Sequence, residues 1–573
     1  MSEERKATPE VRQASAEGPA GAVEQGMFAA GPLGTCEIPQ SPPDEAQASR
    51  GAGVKKPLVS EQRSSGLLGA NHRTMGWYRQ AKEDEARRDG LPEVGAPAWY
   101  RGSRGTHPRG PGGGKAGAGE TGPLKGTTAD ISRSTTVSTK LQRIAELASQ
   151  TPKMVLTSLS HHIDIEFLKE AYRRTRKDGA AGVDGQSAAD YERELDSNLS
   201  SLLDRFKSGR YFAPPVRRVH IPKGDGKKTR PIGIPTIEDK ILQRAVTMVL
   251  EAVYEQDFLD CSYGFRPGRS AHQALQAIWK GLMDMGGGWV LDVDIKAFFD
   301  TLNHGHLRSF LDQRVRDGVL RRTIGKWLNA GVMENGSLTL PEAGTPQGGV
   351  ISPLLANLYL HEVLDKWFAE VVRPRLHGSA FLVRYADDFV IVCAEERDAR
   401  RVMDVLPQRF GRFGLTLHPE KTRLVRFTRP SGRPGDPPDG NDQPPETFDL
   451  LGFTHYWGCS RWGRWLLMQK TAKGRFSRAL KKIAQWCREN RHLPIGKQHC
   501  TLNQKLRGHD AYYGIPNNGE ALKRFRCALE RIWRGWLNRR GGRRPMRWER
   551  FKQLIARFPL SPARIRVPAC NHA

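Results

Sequence analysis

Two stretches decide how this chain reads: LDVDIKAFFDTLNH at 291–304 and SAFLVRYADDFVIVCA at 379–394. In the second, apolar runs at 379–384 and 389–394 flank Tyr385-Ala386-Asp387-Asp388, the pattern of a β-hairpin. Asp is a good turn residue, which accounts for an acid at a bend. Two adjacent carboxylates, however, repel each other unless a cation sits between them. In the first stretch, GWVLDVDI (288–295) reads as a strand, and alternation puts Asp292 and Asp294 on one face. Asp294 falls near the strand end, where the chain turns toward Phe298, Phe299 and Asp300. Charges in an apolar strand need a partner. If the two strands are neighbours, Asp294, Asp387 and Asp388 converge at one sheet edge. Carboxylates with no nearby His make a hard oxygen site suited to Mg²⁺. Two such ions about 3.5–4 Å apart can activate a hydroxyl and stabilise departing pyrophosphate, the chemistry of phosphoryl transfer from a nucleoside triphosphate.

Working outward, Ser187 with Asp190 three residues on starts a helix through Tyr191, Leu195, Leu199, Leu202, Leu203 and Phe206, stopped by Gly209. Thr236 and Asp239 cap another through Ile241, Leu242, Val246, Val249 and Val253. PVRRVHIPK (215–223) alternates like a strand, and SPLLANLYLHEVLDKWF (352–368) reads as a long amphipathic helix. Helices alternating with antiparallel strands predict an α+β core. Residues 1–135 hold 22 of the 60 Gly with little hydrophobic period and read as a low-complexity, disordered extension. A Pro/Gly/Asp-rich insertion at 428–446 precedes FDLLGF (448–453).

The 90 Lys and Arg against 62 Asp and Glu give a net charge of +28 over 573 residues. From Arg461 to Ala573 there are 28 Lys and Arg and five acids, so the last fifth carries nearly all the excess. This segment is expected to be mostly helical. Solvated helix faces ordinarily mix signs, so a one-signed segment implies a polyanionic partner. Trp462, Trp465, Trp486, Tyr512, Tyr513, Trp533, Trp536 and Trp548 are interleaved with it. Flat rings among cations suit nucleic acid, although a helical bundle also uses Trp as core, and core is the better reading of the rings. The eight Cys include no Cys-x-x-Cys pair, which argues against a disulfide scaffold and a structural zinc site. No apolar run reaches membrane-spanning length, and the first residues lack the apolar stretch of a secretory signal; the expectation is a cytoplasmic protein.

The motifs together resemble group II intron-encoded reverse transcriptase/maturases of bacterial type. RRTRKDGAAGVDG (173–185), IPKGDGKKTRPIGIPTIEDKILQRAV (221–246), SYGFRPGRSAHQAL (262–275), DIKAFFD (294–300), GTPQGGVISPLLANLYLHEVLD (344–365), YADD (385–388), GLTLHPEKT (414–422) and FDLLGF (448–453) follow in that family's order. LRGHDAYYGIPNNGEALKRFRCALERIWRGWLNRR (506–540) is similar to its maturase, or thumb/X, domain. The resemblance spans roughly Leu141 to Arg540. It implies a right-hand polymerase fold: an N-terminal extension at 136–210, fingers and palm at 211–457, an α-helical thumb/maturase domain at 458–545 and a basic tail at 546–573.

By resemblance, Asp294, Asp387 and Asp388 hold two Mg²⁺ ions, with the backbone carbonyl of Ile295 helping. Phe299 lies under the sugar of the incoming dNTP and excludes a 2′-hydroxyl. Lys223 and Arg230 clamp the triphosphate, Gln347 orients base or sugar, and Lys421 neutralises or protonates the leaving pyrophosphate. Arg507, Tyr512, Tyr513, Arg534, Trp536, Arg539 and Arg540 would contact RNA. The implied partners are the chain's own group II intron RNA, an RNA template with DNA primer, dNTPs and target DNA, with no membrane; monomer and dimer both stay open. The implied function is RNA-directed DNA synthesis with splicing assistance and retrohoming; a binding-only splicing factor and a domesticated enzyme of phage defence or repair are the alternatives. Some relatives carry a C-terminal His-Asn-His endonuclease with a Cys-paired zinc; here Cys570 stands alone, and no site-specific DNA cleavage is expected. Ala297 stands where many relatives have Gly, and its methyl is expected to be tolerated.

Overall fold

The computed structural model describes residues 128–222, 229–334, 336–340, 344, 347–434, 445–540 and 546–567, with side chains from 136 onward. Of the disordered extension expected at 1–135, residues 1–127 lie outside the described residues, as does Lys223, whereas 128–135 belong to the first helix. In chain order the first elements are α1 (Thr128–Gln150), α2 (Ile165–Arg174), α3 (Ala188–Glu192), α4 (Leu195–Lys207), β1 (Val216–Pro222), β2 (Thr229–Ile234), α5 (Ile237–Tyr254) and α6 (Ala271–Met285). Then come β3 (Trp289–Val293), β4 (Ile295–Lys296), α7 (Phe298–Thr301), α8 (His304–Asp312), α9 (Gly318–Leu328), β5 (Val332–Glu334), β6 (Ser337–Thr339) and α10 (Ser352–Leu360). They are followed by β7 (Ala380–Tyr385), β8 (Asp388–Cys393), α11 (Glu396–Gly411), β9 (Thr416–Leu417), β10 (Arg423–Arg426), β11 (Phe448–Leu450), β12 (Phe453–Cys459) and β13 (Trp465–Thr471). The helices α12 (Lys473–Glu489), α13 (Ile495–Tyr513), α14 (Gly519–Leu537) and α15 (Trp548–Arg557) close the chain.

The expected adjacency of the carboxylate strands holds. The central sheet has the order β10-β3-β8-β7, all antiparallel, and β3 pairs β8 with Val293 opposite Phe389. Both faces are covered. Leu291, Val293, Phe389 and Ile391 join a core with α5, α10 and α11, while Val290, Val383, Val390 and Val392 join a second core with α6 and the β11-β12-β13 sheet. Burial on both sides is why these strands read as unbroken apolar runs instead of alternating. A second sheet, β2-β1-β5-β6, pairs β1 and β5 in parallel. The last helices pack around Leu502, Leu506, Phe525, Leu529 and the fully buried Trp533.

Three expectations need correction. The helix from Ser187 is two: the Ser187–Asp190 capping box starts α3, whose end is closed when the Asn198 side-chain amide donates to Tyr191 O at 3.1 Å, and α4 begins afresh. The strand expected at 288–295 breaks at Asp294, whose carbonyl accepts from His418 N at 2.8 Å and so leaves the ladder. The helix expected at 352–368 is buried on nearly every side and not amphipathic; beyond Leu360 it continues in π-helical turns through Val372. The basic segment is mostly helical, as expected; it begins as strand, β13, and turns helical at Lys473.

Candidate active site

The break after Val293 puts Asp294 one step past the Val293–Phe389 pair, level with Asp388 at the start of β8. A cleft of about 300 Å³ is lined there by Asp292, Asp294, Asp388 and Lys421 from the sheet and its neighbours, and by Asp449 to Gly452, Arg475 and Arg478 facing them. Lys421 Nζ donates to Asp294 Oδ2 at 2.8 Å, and both side chains keep solvent contact. Because His418 N also holds the Asp294 carbonyl, the 414–422 segment fixes this aspartate at both backbone and side chain. Asp292 accepts from Arg423 Nε at 3.3 Å. Its carboxyl is pushed up to about 6, chiefly by burial, with Asp388 and Asp294 adding to the rise against the opposing pull of Arg423.

The acidic turn rests on a buried polar frame. Arg384, fully buried, donates from Nε to Asp365 Oδ1 at 2.8 Å and from Nη2 to Asp365 Oδ2 at 2.5 Å, and Asp365 is equally buried. Its Nη1 reaches Asn357 Oδ1 at 2.9 Å and the Ala386 carbonyl at 3.1 Å. Asn357 in turn donates to Gly264 O at 2.7 Å. The guanidinium thus ties the turn to α10 and its π-helical continuation. From the other side Gly264 presses against the turn; a Cβ there would stand 2.4 Å from Ala386 N. Neither Arg384 nor Asp365 stood out in the sequence, where a charge in an apolar run next to YADD is easily assigned to the acids themselves.

The three expected carboxylates do not all line this cleft. Asp294 and Asp388 do; Asp387, half-buried, lies in the turn and is not among the lining residues, and the acid that joins them is Asp292. Among the described residues no three His, Cys, Asp or Glu converge closely enough to form a ready-made metal cage. Mg²⁺ rarely needs one, since it is held by one or two carboxylates plus water and substrate phosphates. Two hard oxygen donors side by side at an open cleft, near enough to raise a third carboxyl, fit such an ion. Ile295, buried, pairs with Leu417 in the β4–β9 ladder.

Of the remaining nucleotide candidates, Arg230, Phe299 and Gln347 stand outside the cleft lining. Phe299 is 5% exposed and packs edge-on against Phe298 at 5.3 Å. Gln347 is tied to β2 by its carbonyl, which accepts from Gly233 N at 2.7 Å, and the loop after it is tied to α5 by Val350 N donating to Gln243 Oε1 at 2.7 Å. Gln347 Oε1 itself is buried with no hydrogen-bond partner among the described residues, the condition of a group awaiting a ligand. Arg230 lies on the same strand as Gly233, opposite Ile221. Ala297 adopts φ 50°, ψ 38°, so its methyl is accommodated in a left-handed conformation that favours glycine. Ala297→Gly is expected to raise the unfolding free energy by ~1 kcal/mol, read from urea midpoints; a lower midpoint would contradict it.

Among the RNA candidates, Arg507 and Arg539 are exposed, with Arg539 lying 4.7 Å over the half-buried Trp536. Arg540 is exposed and donates to Leu493 O at 2.5 Å. Tyr512, Tyr513 and Arg534 are half-buried and also make contacts within the protein. Tyr512 donates to Leu451 O at 2.7 Å, Tyr513 packs on Phe453 at 5.2 Å, and Arg534 donates to Met546 O at 2.9 Å while lying 4.1 Å over Trp548. Arg475 and Arg478, which do face the carboxylates, were missed because in a segment full of cations no spacing marks them out.

The sheet that carries this cleft lies within a segment that matches a known family. The family model described as reverse transcriptase (RNA-dependent DNA polymerase) matches residues 221–455. Protein YkfC of Escherichia coli (strain K12) is 34% identical over 328 residues, covering 50% of this chain and 84% of YkfC. Group II intron-encoded protein LtrA of Lactococcus lactis subsp. cremoris is 37% identical over 235 residues, 40% of this chain and 38% of LtrA. An uncharacterized 91 kDa protein in the cob intron of Schizosaccharomyces pombe is 31% identical over 357 residues, 53% of this chain and 44% of that protein. The chain therefore spans less than half the length of the last two. Among the described residues no helix is long and apolar enough to cross a membrane. By these matches the chain belongs to the group II intron reverse transcriptase/maturase family, a family of RNA-directed DNA polymerases.

Proposed function

We propose that this chain copies RNA into DNA by two-Mg²⁺ phosphoryl transfer, binds its own group II intron RNA, assists its splicing and serves its retrohoming into target DNA. The observation that carries this is the cleft where Asp294 and Asp388 stand level across paired strands with Arg475 and Arg478 opposite. In this reading the β2-β1-β5-β6 sheet belongs to the fingers, the β10-β3-β8-β7 sheet to the palm and α12–α15 to the thumb/maturase domain. Mg²⁺, when bound, would supply charge neutralisation at the attacking hydroxyl and the departing pyrophosphate. Asp294, Asp387 and Asp388 hold it, with the Ile295 carbonyl alongside. Lys421 holds Asp294 in place and stands ready beside the leaving group. Gln347 offers its unpartnered carbonyl oxygen to the nucleotide, Phe299 backs the sugar, and Lys223 and Arg230 take the triphosphate. Arg475 and Arg478 neutralise the nucleic-acid backbone across the cleft, and Arg507, Trp536, Arg539 and Arg540 belong to the intron RNA surface.

Extension of oligo(dT) on poly(rA) by the purified chain tests the reading: product is expected with Mg²⁺ and none without it. Absence of extension on RNA under both conditions, with RNA still bound, would leave a binding-only splicing factor.

A further inference from the structure

We propose that the tip of the β12–β13 hairpin, Ser460 to Arg464, docks an unpaired nucleotide of RNA, with the base stacked on Trp462 and its phosphates met by Arg461 and Arg464. The proposal rests on the reading that this chain binds RNA, and it assigns a site away from the cleft and from the candidates above.

Trp462 is 75% exposed, the highest value among the described large apolar side chains. Its neighbours on the hairpin are used internally: Trp457 is 7% exposed, and Trp465 Nε1 donates to Gly432 O at 3.1 Å. The tip is a built turn. Ser460 N donates to Arg464 O at 2.9 Å, Gly463 N to Ser460 O at 3.0 Å, and Arg464 N to Ser460 Oγ at 3.0 Å, with Gly463 at φ 68°. An isolated exposed ring is ordinary on a protein surface. This one is presented on a closed turn with the Arg461 guanidinium 4.8 Å over one face, which leaves the other for a second flat partner.

Charge selects the partner. From His455 to Arg488 the chain has nine Lys and Arg and no Asp or Glu. Lys470 lies 4.3 Å over Tyr456 on the face of the hairpin opposite the buried Phe453, His455 and Trp457, so a second cation–ring pair shares the hairpin. An apolar protein partner would desolvate these cations without return, whereas phosphates pair with them and bases stack on rings. Unpaired RNA offers its bases for stacking and a duplex does not.

The hairpin's other end begins at Phe453 and Thr471, next to Gly452 and Ala472 of the cleft lining. Seven residue pairs at about 3.4 Å per residue put the tip roughly 20 Å away. The nucleotide it takes is therefore remote from the reacting end and contributes to grip.

The test uses the full chain and an unstructured single-stranded oligoribonucleotide carrying 5-bromouridine, photocrosslinked and mapped by mass spectrometry, with binding measured in parallel. The expected results are an adduct on Trp462, binding weakened about five- to a hundred-fold by Trp462→Ala at unchanged melting temperature, and most of it kept by Trp462→Phe. Arg461→Gln with Arg464→Gln should flatten the logarithmic salt slope by about 1.4. Normal affinity in all variants, with adducts elsewhere, would overturn the docking site and leave RNA binding intact. No binding by the unaltered chain would overturn both readings. A change in native mass on Trp462→Ala at unchanged RNA affinity would make the tip a protein interface and overturn the proposal.

Discussion

Asp294→Asn and Asp387→Ala are each expected to lower Mg²⁺-dependent extension on an RNA template by about three orders of magnitude or more. Loss of one anionic ligand removes several kcal/mol of charge stabilisation that matters only when the ion and substrate are in place. At about 1.4 kcal/mol per factor of ten, four kcal/mol already gives that ratio. Stability should barely move. The Asp294 carboxylate is solvent-accessible and its partner Lys421 more so, and an exposed ion pair of this kind contributes about 0–1 kcal/mol. Asp387 is half-buried in the turn, and the Ala386 carbonyl beside it is held by Arg384. Primer extension and RNA binding, measured side by side, separate the roles: loss of both to the same degree would make these aspartates structural. Comparing Asp387→Ala with Asp388→Ala also tells whether the turn residue or the cleft-lining residue carries more of the chemistry.

The second large effect is on folding. Arg384→Met is expected to cost about 3–5 kcal/mol, because it strands the Asp365 carboxylate in a site with no solvent contact. The double change Arg384→Met with Asp365→Leu should recover much of that, since a buried ion pair replaced by apolar groups of similar volume is often close to neutral. Extension activity should stay low in the double variant, because the Ala386 carbonyl has lost its donor and the acidic turn its brace. Denaturant midpoints and extension rates read the two quantities apart; full recovery of activity with stability would show that the brace is dispensable.

The paired strands and the acidic hairpin were legible because each element was marked locally: apolar runs, a turn, and charges that had to be explained. Thr236 was likewise readable, and it caps α5 by accepting from Asp239 N at 3.2 Å. What escaped depended on contacts distant in sequence. The break at Asp294 is made by His418, whose amide takes a carbonyl that would otherwise continue the ladder. The segment after Ser352 carries enough polar residues to suggest a solvent face, yet Asn357 and Asp365 are polar for Arg384 and lie in the interior. Tyr512 reads as a flat ring among cations, and nothing local marks that its hydroxyl donates to the Leu451 carbonyl beside the cleft. Which acid of Asp387–Asp388 faces the cleft is likewise set by turn geometry, which composition does not encode.

The contact between Gly264 and Ala386 carries one more consequence. Hydrogen is the thinnest spacer a polypeptide can place between two backbones, and here it sets the height at which the acidic loop rides above its sheet. A residue with no side chain, 122 positions upstream, thereby bears directly on the acidic turn. Wear at that one point would show first as lost turnover in a chain that still assembles.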